Sequence, residues 1–190
     1  ILVDANQAQS PYPWQAGVIW DLERAKRMNQ KMHELGCYWL EEPRPRYNFD
    51  ELSELVSMNM TKISGGENNT VVSDFHEMVN KNSYDILQPE SMVMGGITPL
   101  IEIGEISKKY NKEIVPHHGG GDLGVVAHMH LLATWNNAPY CEMLNDPPLS
   151  SYKNKFFIFN EDLNVKDGII NVPNSPGLGV TIKEDLIIRE

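Results

Sequence analysis

Basic excess is missing from this sequence. Against 16 lysines and arginines stand 26 aspartates and glutamates, for a net charge of −10. A nucleic acid or an anionic membrane surface needs a basic face, so this balance argues against both as partners. Cysteine is scarce as well: Cys37 and Cys141 are the only two, and they make no CxxC or metal-like spacing. Both fall in strand-like runs and read as buried, reduced thiols of a cytoplasmic protein. No apolar run approaches the ~20 residues that span a bilayer, and no signal peptide is visible. A glycine-rich phosphate loop is also lacking after the first apolar run, where "DANQAQ" stands, which argues against a Rossmann-type sheet.

What remains is ordinary soluble-protein composition, 41% apolar and 22% charged over 190 residues, enough for one domain with a real core. Short apolar runs alternate with amphipathic stretches. The runs are ILVD (1–4), YWLE (38–41), TKISGGE (61–67), DILQP (85–89), EIVPH (113–117) and YCEML (140–144). Between them, the spacing predicts helices. In the first, Leu22, Ala25, Met28, Met32 and Leu35 share a face and Gly36 supplies a stop. Repeated strand–helix alternation means an α/β fold with a parallel sheet.

Each strand-like run carries a polar residue at its C-terminal end: Asp4, Glu41, Glu67, Glu90, His117 and Glu142. They are separated by 37, 26, 23, 27 and 25 residues, close to one βα unit apiece, with an aromatic insertion (Tyr12, Trp14, Trp20) in the first gap. A (β/α)-barrel gathers its active site from the C-terminal ends of its strands, as this series requires. Six strands are expected here. The chain starts without methionine and inside a strand, and the two missing strands are expected before Ile1. Residues 1–145 are expected to form the βα units and 146–190 a tail that wraps the barrel or meets another domain, with FFIFN and GIINV as a hairpin.

Asp4, Glu41 and Glu67 end three successive strands. Carboxylates so gathered repel unless a cation neutralises them, and an all-oxygen set selects Mg²⁺ or Mn²⁺ rather than Zn²⁺. Asn6, two residues beyond Asp4, is placed to hold a ligand by hydrogen bonding. For one acid alone, a helix cap or loop charge is the better reading; three in register favour a site. Glu42 is expected to point away into a surface ion pair. His117 is the candidate general base, with Glu90 accepting its other imidazole N–H. Glu142 is placed to donate a hydrogen bond to a developing enolate oxygen, or is simply a retained strand-end charge. His118 reads as a packed histidine, His33 and His76 as structural. His128 and His130, two apart on a helix, cannot face one site.

Taken in order, VDANQA, WLEEP, GGEN, DILQPESMVMGG, VPHHGGG, CEML and PGLGV resemble the mandelate racemase/muconate lactonizing enzyme branch of the enolase superfamily over essentially the whole chain. The resemblance implies a Mg²⁺ site made by Asp4, Glu41 and Glu67, and an N-terminal capping domain that this chain does not contain. It also implies abstraction of the proton α to a carboxylate, through a metal-stabilised enediolate. His117 then matches a base and Glu142 an electrophile. Glu90 stands where the family usually has aspartate, and the family's second base, a lysine of a Lys-x-Lys motif, falls upstream of Ile1. Assembly as a homo-oligomer, dimer or octamer, is a further implication.

The reaction stays open between subclasses. Dehydration of a sugar acid needs one base and an acid to expel the β-hydroxyl, and one histidine serves both steps. Racemisation, epimerisation or cycloisomerisation places different demands on the second base. The HHGGG motif and the histidine-based architecture fit acid-sugar dehydratases better than cycloisomerases, which favour paired lysines. Outside the family, a metal-independent glycoside hydrolase would use two of the acids, such as Glu41 and Glu142, and an inactive barrel fragment would use none.

Overall fold

Two periodicities set this fold, one for strands and one for helices. The computed structural model describes residues 1–8, 19–117, 121–148, 151 and 155–187. Strands β1 (Leu2–Asp4), β2 (Trp39–Glu41), β3 (Lys62–Gly65), β4 (Ile86–Leu87) and β5 (Glu113–Ile114) pair in parallel, in chain order. Helices α1 (Leu22–Glu34), α2 (Phe49–Ser57), α3 (Val72–Asn80), α4 (Ser91–Met94), α5 (Ile97–Lys109) and α6 (Asp122–Leu132) fall between and after them. A doubly wound sheet reverses its strand order partway; this one does not, and a monotone order is that of a barrel wall.

Alternation along the strands sorts the core. Leu40, Ile63, Leu87 and Ile114 join the main cluster with Leu52, Leu55, Phe75, Leu100 and Ile103 from the helices. Trp39, Ile86 and Val115 form a separate cluster on the other face. Counting by twos from these three reaches Glu41, then Gln88 and Glu90, then His117. Those side chains therefore share the inner face. Pro89 and Pro116, which lack the N–H a ladder needs, stand immediately before Glu90 and His117. The carbonyl of Pro89 nevertheless accepts the His117 N–H at 3.1 Å, tying two site residues through the backbone.

Glu67 breaks the count. Ser64 pairs with Glu41, so strict alternation would give the inner place to Gly66 and turn Glu67 toward the helices. Gly66 has φ +123°, which interrupts the period and returns Glu67 to the rim. A Cβ at Gly66 would also lie 2.9 Å from the Phe75 ring.

The helix stops follow local chemistry. Asp21 caps α1, its Oδ1 accepting the Arg24 N–H at 2.7 Å, and Gly36 ends it at φ +70°. Ala25 and Met32 are buried as expected, but Leu35 is exposed. Asn29 is fully buried instead: its Oδ1 accepts the Thr61 N–H at 3.1 Å and its Nδ2 donates to the Leu55 carbonyl at 3.3 Å.

Three expectations are corrected. Among the described residues there are five strands, not six: the run 140–144 forms no ladder. It is anchored through side chains, with Tyr140 edge-on to both Tyr38 and Trp39 and Cys141 and Met143 against a second core cluster. FFIFN and GIINV are not a hairpin either; Phe159 bridges Ile182, and Lys166 bridges Ile169 across a tight turn. That tail packs on α6, where Val125, Val126 and Met129 meet Phe156 and Phe159. Cys37 and Cys141 are free, half-buried and outside any strand. No helix among the described residues is long and apolar enough to cross a membrane.

Gly66→Ala is expected to destabilise the protein by about 1–3 kcal/mol, from the imposed φ and the Phe75 contact. Gly121→Ala should be near neutral, since among the described residues nothing lies within 4 Å of its Cβ position. Urea unfolding midpoints of the two variants check this; equal midpoints would contradict it.

Candidate active site

Six side chains from separate elements meet at the C-terminal rim, with His117 at their centre. Its Nε2 lies 3.0 Å from Glu67 Oε2 and 3.9 Å from Glu142 Oε1, and its Nδ1 lies 3.6 Å from Glu90 Oε2. Burial pulls the imidazole pKa down, but hydrogen bonds to Glu67 and Glu90 and the charges of Glu67 and Glu142 push it up to about 11. Glu90 feels the converse: burial raises its pKa, and His117, the Met92 N–H and His128 bring it below the ordinary value.

Glu41 is buried and surrounded by its own kind. Its pKa rises to about 8, first from burial, then from the charge of Glu142, with Asp4 and Glu67 adding; the Gln88 amide opposes the shift. Asp4, on the exposed edge strand, is raised by burial, with the Glu67 charge adding, against the hydrogen bond from the Asn6 backbone. That bond measures 2.8 Å, and the Asn6 side-chain amide donates to the other Asp4 oxygen. Asn6 has φ +50°, which curls it back onto the carboxylate.

Glu42 corrects a further expectation. It is only 1% exposed and makes no surface ion pair. Its φ of +43°, a costly conformation for a non-glycine residue, turns it inward. Neither carboxyl oxygen has a hydrogen-bond partner among the described residues. Its pKa rises to about 8, from burial first and then the Glu67 charge, with Arg46 opposing.

The remaining histidines divide. His33 and His76 are exposed, in keeping with no role here. His130 Nε2 meets the Leu178 carbonyl at 3.0 Å, whereas His128 is buried behind Glu90, its Nε2 3.4 Å from Glu90 Oε1. The pair does face different ways, but one of them reaches the site. His118, Tyr12 and Trp14 lie outside the described residues. Trp20 packs on the main core with Arg24 5.2 Å above its ring.

Sequence reasoning missed four contributors. Gln88 stands beside Glu41, and its position two before Glu90 on a strand was the available signal. Asn68 donates to Glu67 Oε1 at 2.5 Å. Met92 and Val93 wall a cleft of about 340 Å³ that also touches Glu67, Asn68, Glu90, His117 and Gly121. A depression of about 470 Å³ at the opposite end, among Lys108, Asn111, Lys112, Asn136 and Asn137, offers no comparable acid–base set.

The donor chemistry of Asp4, Glu41 and Glu67 fits a hard divalent cation: oxygen ligands only, and a buried member whose pKa is raised by burial first and then by neighbouring carboxylates. The side chains as placed do not assemble a coordination sphere, and no group of three or more metal-type residues does so among the described residues. Both Asp4 oxygens accept from Asn6, and those of Glu67 face Asn68 and His117.

A strand-end acid series on a monotone parallel sheet, with a histidine at its centre, is the layout of the C-terminal rim of a (β/α)-barrel. The chain belongs to the enolase C-terminal domain-like family, whose sequence model matches residues 1–186, in the mandelate racemase/muconate lactonizing enzyme group. It is similar to the L-talarate/galactarate dehydratase of Salmonella typhimurium LT2, 29% identical over 184 residues that make up 97% of this chain and 40% of that protein. A chloromuconate cycloisomerase of Delftia acidovorans is 27% identical over 98% of this chain and 47% of its own. In structure, the chain resembles L-talarate dehydratase from Polaromonas sp. JS666, solved with Mg and L-glucarate. The TM-score is 0.77 and the identity 27%, over 97% of this chain and 45% of that one. The chain thus spans less than half the length of these relatives.

Glu41 and Glu42 give a pH signature. Each carboxyl pKa stands at about 8 in the folded protein against an ordinary 4.5. Between those values the folded state holds protons that the unfolded chain has released, so stability falls as pH rises through that window. In EDTA, the unfolding free energy should drop from pH 5 to pH 8, and Glu42→Gln should flatten the slope. A slope of opposite sign would contradict the burial of these two acids.

Proposed function

We propose that this chain carries acid–base groups of an enzyme that removes the proton α to the carboxylate of a small acid. The reaction favoured is dehydration of a sugar acid. The observation that carries the reading is the His117–Glu90 pair, 3.6 Å apart, set in the same rim as Asp4, Glu41 and Glu67. His117 is the group that moves the proton. Glu90 faces its Nδ1 and fixes the tautomer, leaving Nε2 toward the substrate side.

Asp4, Glu41 and Glu67 would hold a Mg²⁺ or Mn²⁺ ion, with Asn6 fixing Asp4. Held there, the ion would supply positive charge to offset the three acids and a substrate carboxylate, and Glu67 would then hold the His117 proton less tightly. Glu142, half-exposed and 3.9 Å from His117, is the donor for an oxygen that gains charge as the proton leaves. It must be protonated for this. Protonated His117 can return its proton to the departing β-hydroxyl, so one residue serves as base and then as acid. With its pKa pushed up to about 11 beside Glu67 and Glu142, His117 is held protonated, so its role as base depends on neutralising those acids first.

A racemase, epimerase or cycloisomerase is the second reading, favoured by the apolar Met92–Val93 wall of the cleft. That wall suits a carboxylate with an apolar body better than a polyol chain.

The test uses the full-length protein with a panel of sugar acids in D₂O, following the α-proton by NMR. The expected result is Mg²⁺-dependent loss of water giving a 2-keto-3-deoxy product, abolished by EDTA. His117→Asn should slow it by about 10²–10⁴-fold. Deuterium incorporation without dehydration would favour the second reading, and turnover indifferent to EDTA would remove both.

A further inference from the structure

Glu90 is gripped from behind. It is the N-cap of α4, and its Oε1 accepts the Met92 N–H at 3.0 Å and faces the Ser91 hydroxyl at 3.4 Å. Behind this turn stands His128, 2% exposed, on the buried face of α6. The Ser91 N–H donates to His128 Nε2 at 3.1 Å, and the same nitrogen lies 3.4 Å from Glu90 Oε1. A ring nitrogen that accepts from Ser91 has its lone pair, not a proton, at that point. It therefore offers Glu90 Oε1 no donor of its own. Oε1 is left to Met92 and Ser91, and Oε2 becomes the oxygen that faces His117.

We propose that His128 is a positioning residue for the acid–base pair, fixing through the Ser91 turn which oxygen of Glu90 meets His117 and at what angle. The proposal rests on the acid–base reading of His117. Two considerations separate it from simple core filling. Gly124, Val125, Val126, Ala127, Met129 and Leu131 of the same helix are buried too, so His128 sits in an apolar stretch. An apolar side chain would suit that stretch without the cost of burying a polar ring. Burial also draws the His128 pKa down to about 4, so the ring is neutral and can present an acceptor. Glutamate adds to the need for such a device. With three rotatable bonds it reaches His117 in several ways, and a carboxylate that chooses among them orients an imidazole poorly.

The test compares His128→Gln with His128→Asn in the full-length protein. Glutamine puts a polar atom near the Nε2 position; asparagine reaches only the Nδ1 position. Both are polar and of similar size, so a folding defect alone should not divide them. Two quantities are read: kcat and KM for α-proton exchange, and the ¹⁵N spectrum of the His117 imidazole, which needs no turnover. The asparagine variant is expected to lose about 10–100-fold in kcat with little change in KM and to move the His117 Nδ1 resonance. The glutamine variant should recover both. An unmoved His117 resonance in the asparagine variant would overturn the proposal, as would equal losses in both variants that track a common drop in thermal stability. If the unmutated protein exchanges no α-proton, the functional reading fails, and the imidazole spectrum alone still decides the positioning role.

Discussion

Buried negative charge at one end of a parallel sheet is the constraint on which this structure turns. Glu41, Glu42, Glu67 and Glu90 are each at most 8% exposed, and Asp4 and Glu142 stand beside them. Two unit charges 4 Å apart repel by about 4 kcal/mol at the effective dielectric of such a site, a large fraction of a domain's whole stability. Something must neutralise them. The structure does so with protons on Glu41 and Glu42, whose pKa values rise to about 8, and with an imidazolium at His117. Under the proposed function, a divalent cation would achieve the same end and would free His117 for proton transfer. Charge repulsion is thus what couples the metal reading to the acid–base reading.

The rest of the fold serves to hold that charge in place. Leu40, Ile63, Leu87 and Ile114 lock the strands to the helices, which fixes by alternation the inward direction of Glu41, Glu90 and His117. Three backbone departures do what alternation cannot. Gly66 returns Glu67 to the rim, and the left-handed turns at Asn6 and Glu42 fold two side chains back onto the cluster. Strain of this kind survives only where surrounding structure imposes it; here tight packing around Gly66, against Phe75, is part of that surrounding.

Much of this was legible in the residues. The βα alternation, the inward register of Asp4, Glu41, Glu90 and His117, and the stop at Gly36 all follow from period and turn chemistry. The sixth strand was not: YCEML has the right composition, but pairing is a property of the neighbouring backbone, and side-chain contacts of Tyr140 anchor it without a ladder. Glu42 was misread because period two assumes an extended backbone, which a φ of +43° is not. His128 was set aside because two histidines two apart on a helix cannot share a site. That rule is sound, and one of them still reaches Glu90 from the next helix. Asn29 escaped for the same reason: its partners, Thr61 and Leu55, are distant in sequence.

The central claim is that Asp4, Glu41 and Glu67 gather to hold one hard cation. Its most direct measurement is Mn²⁺ titration of the full-length protein followed by electron paramagnetic resonance, repeated with Glu41→Gln. One site per chain in the unmutated protein, lost or weakened at least tenfold in the variant (about 1.4 kcal/mol), is the predicted result. Binding of equal strength in both proteins, or none in either, would contradict the account and leave the buried acids to be balanced by protons alone.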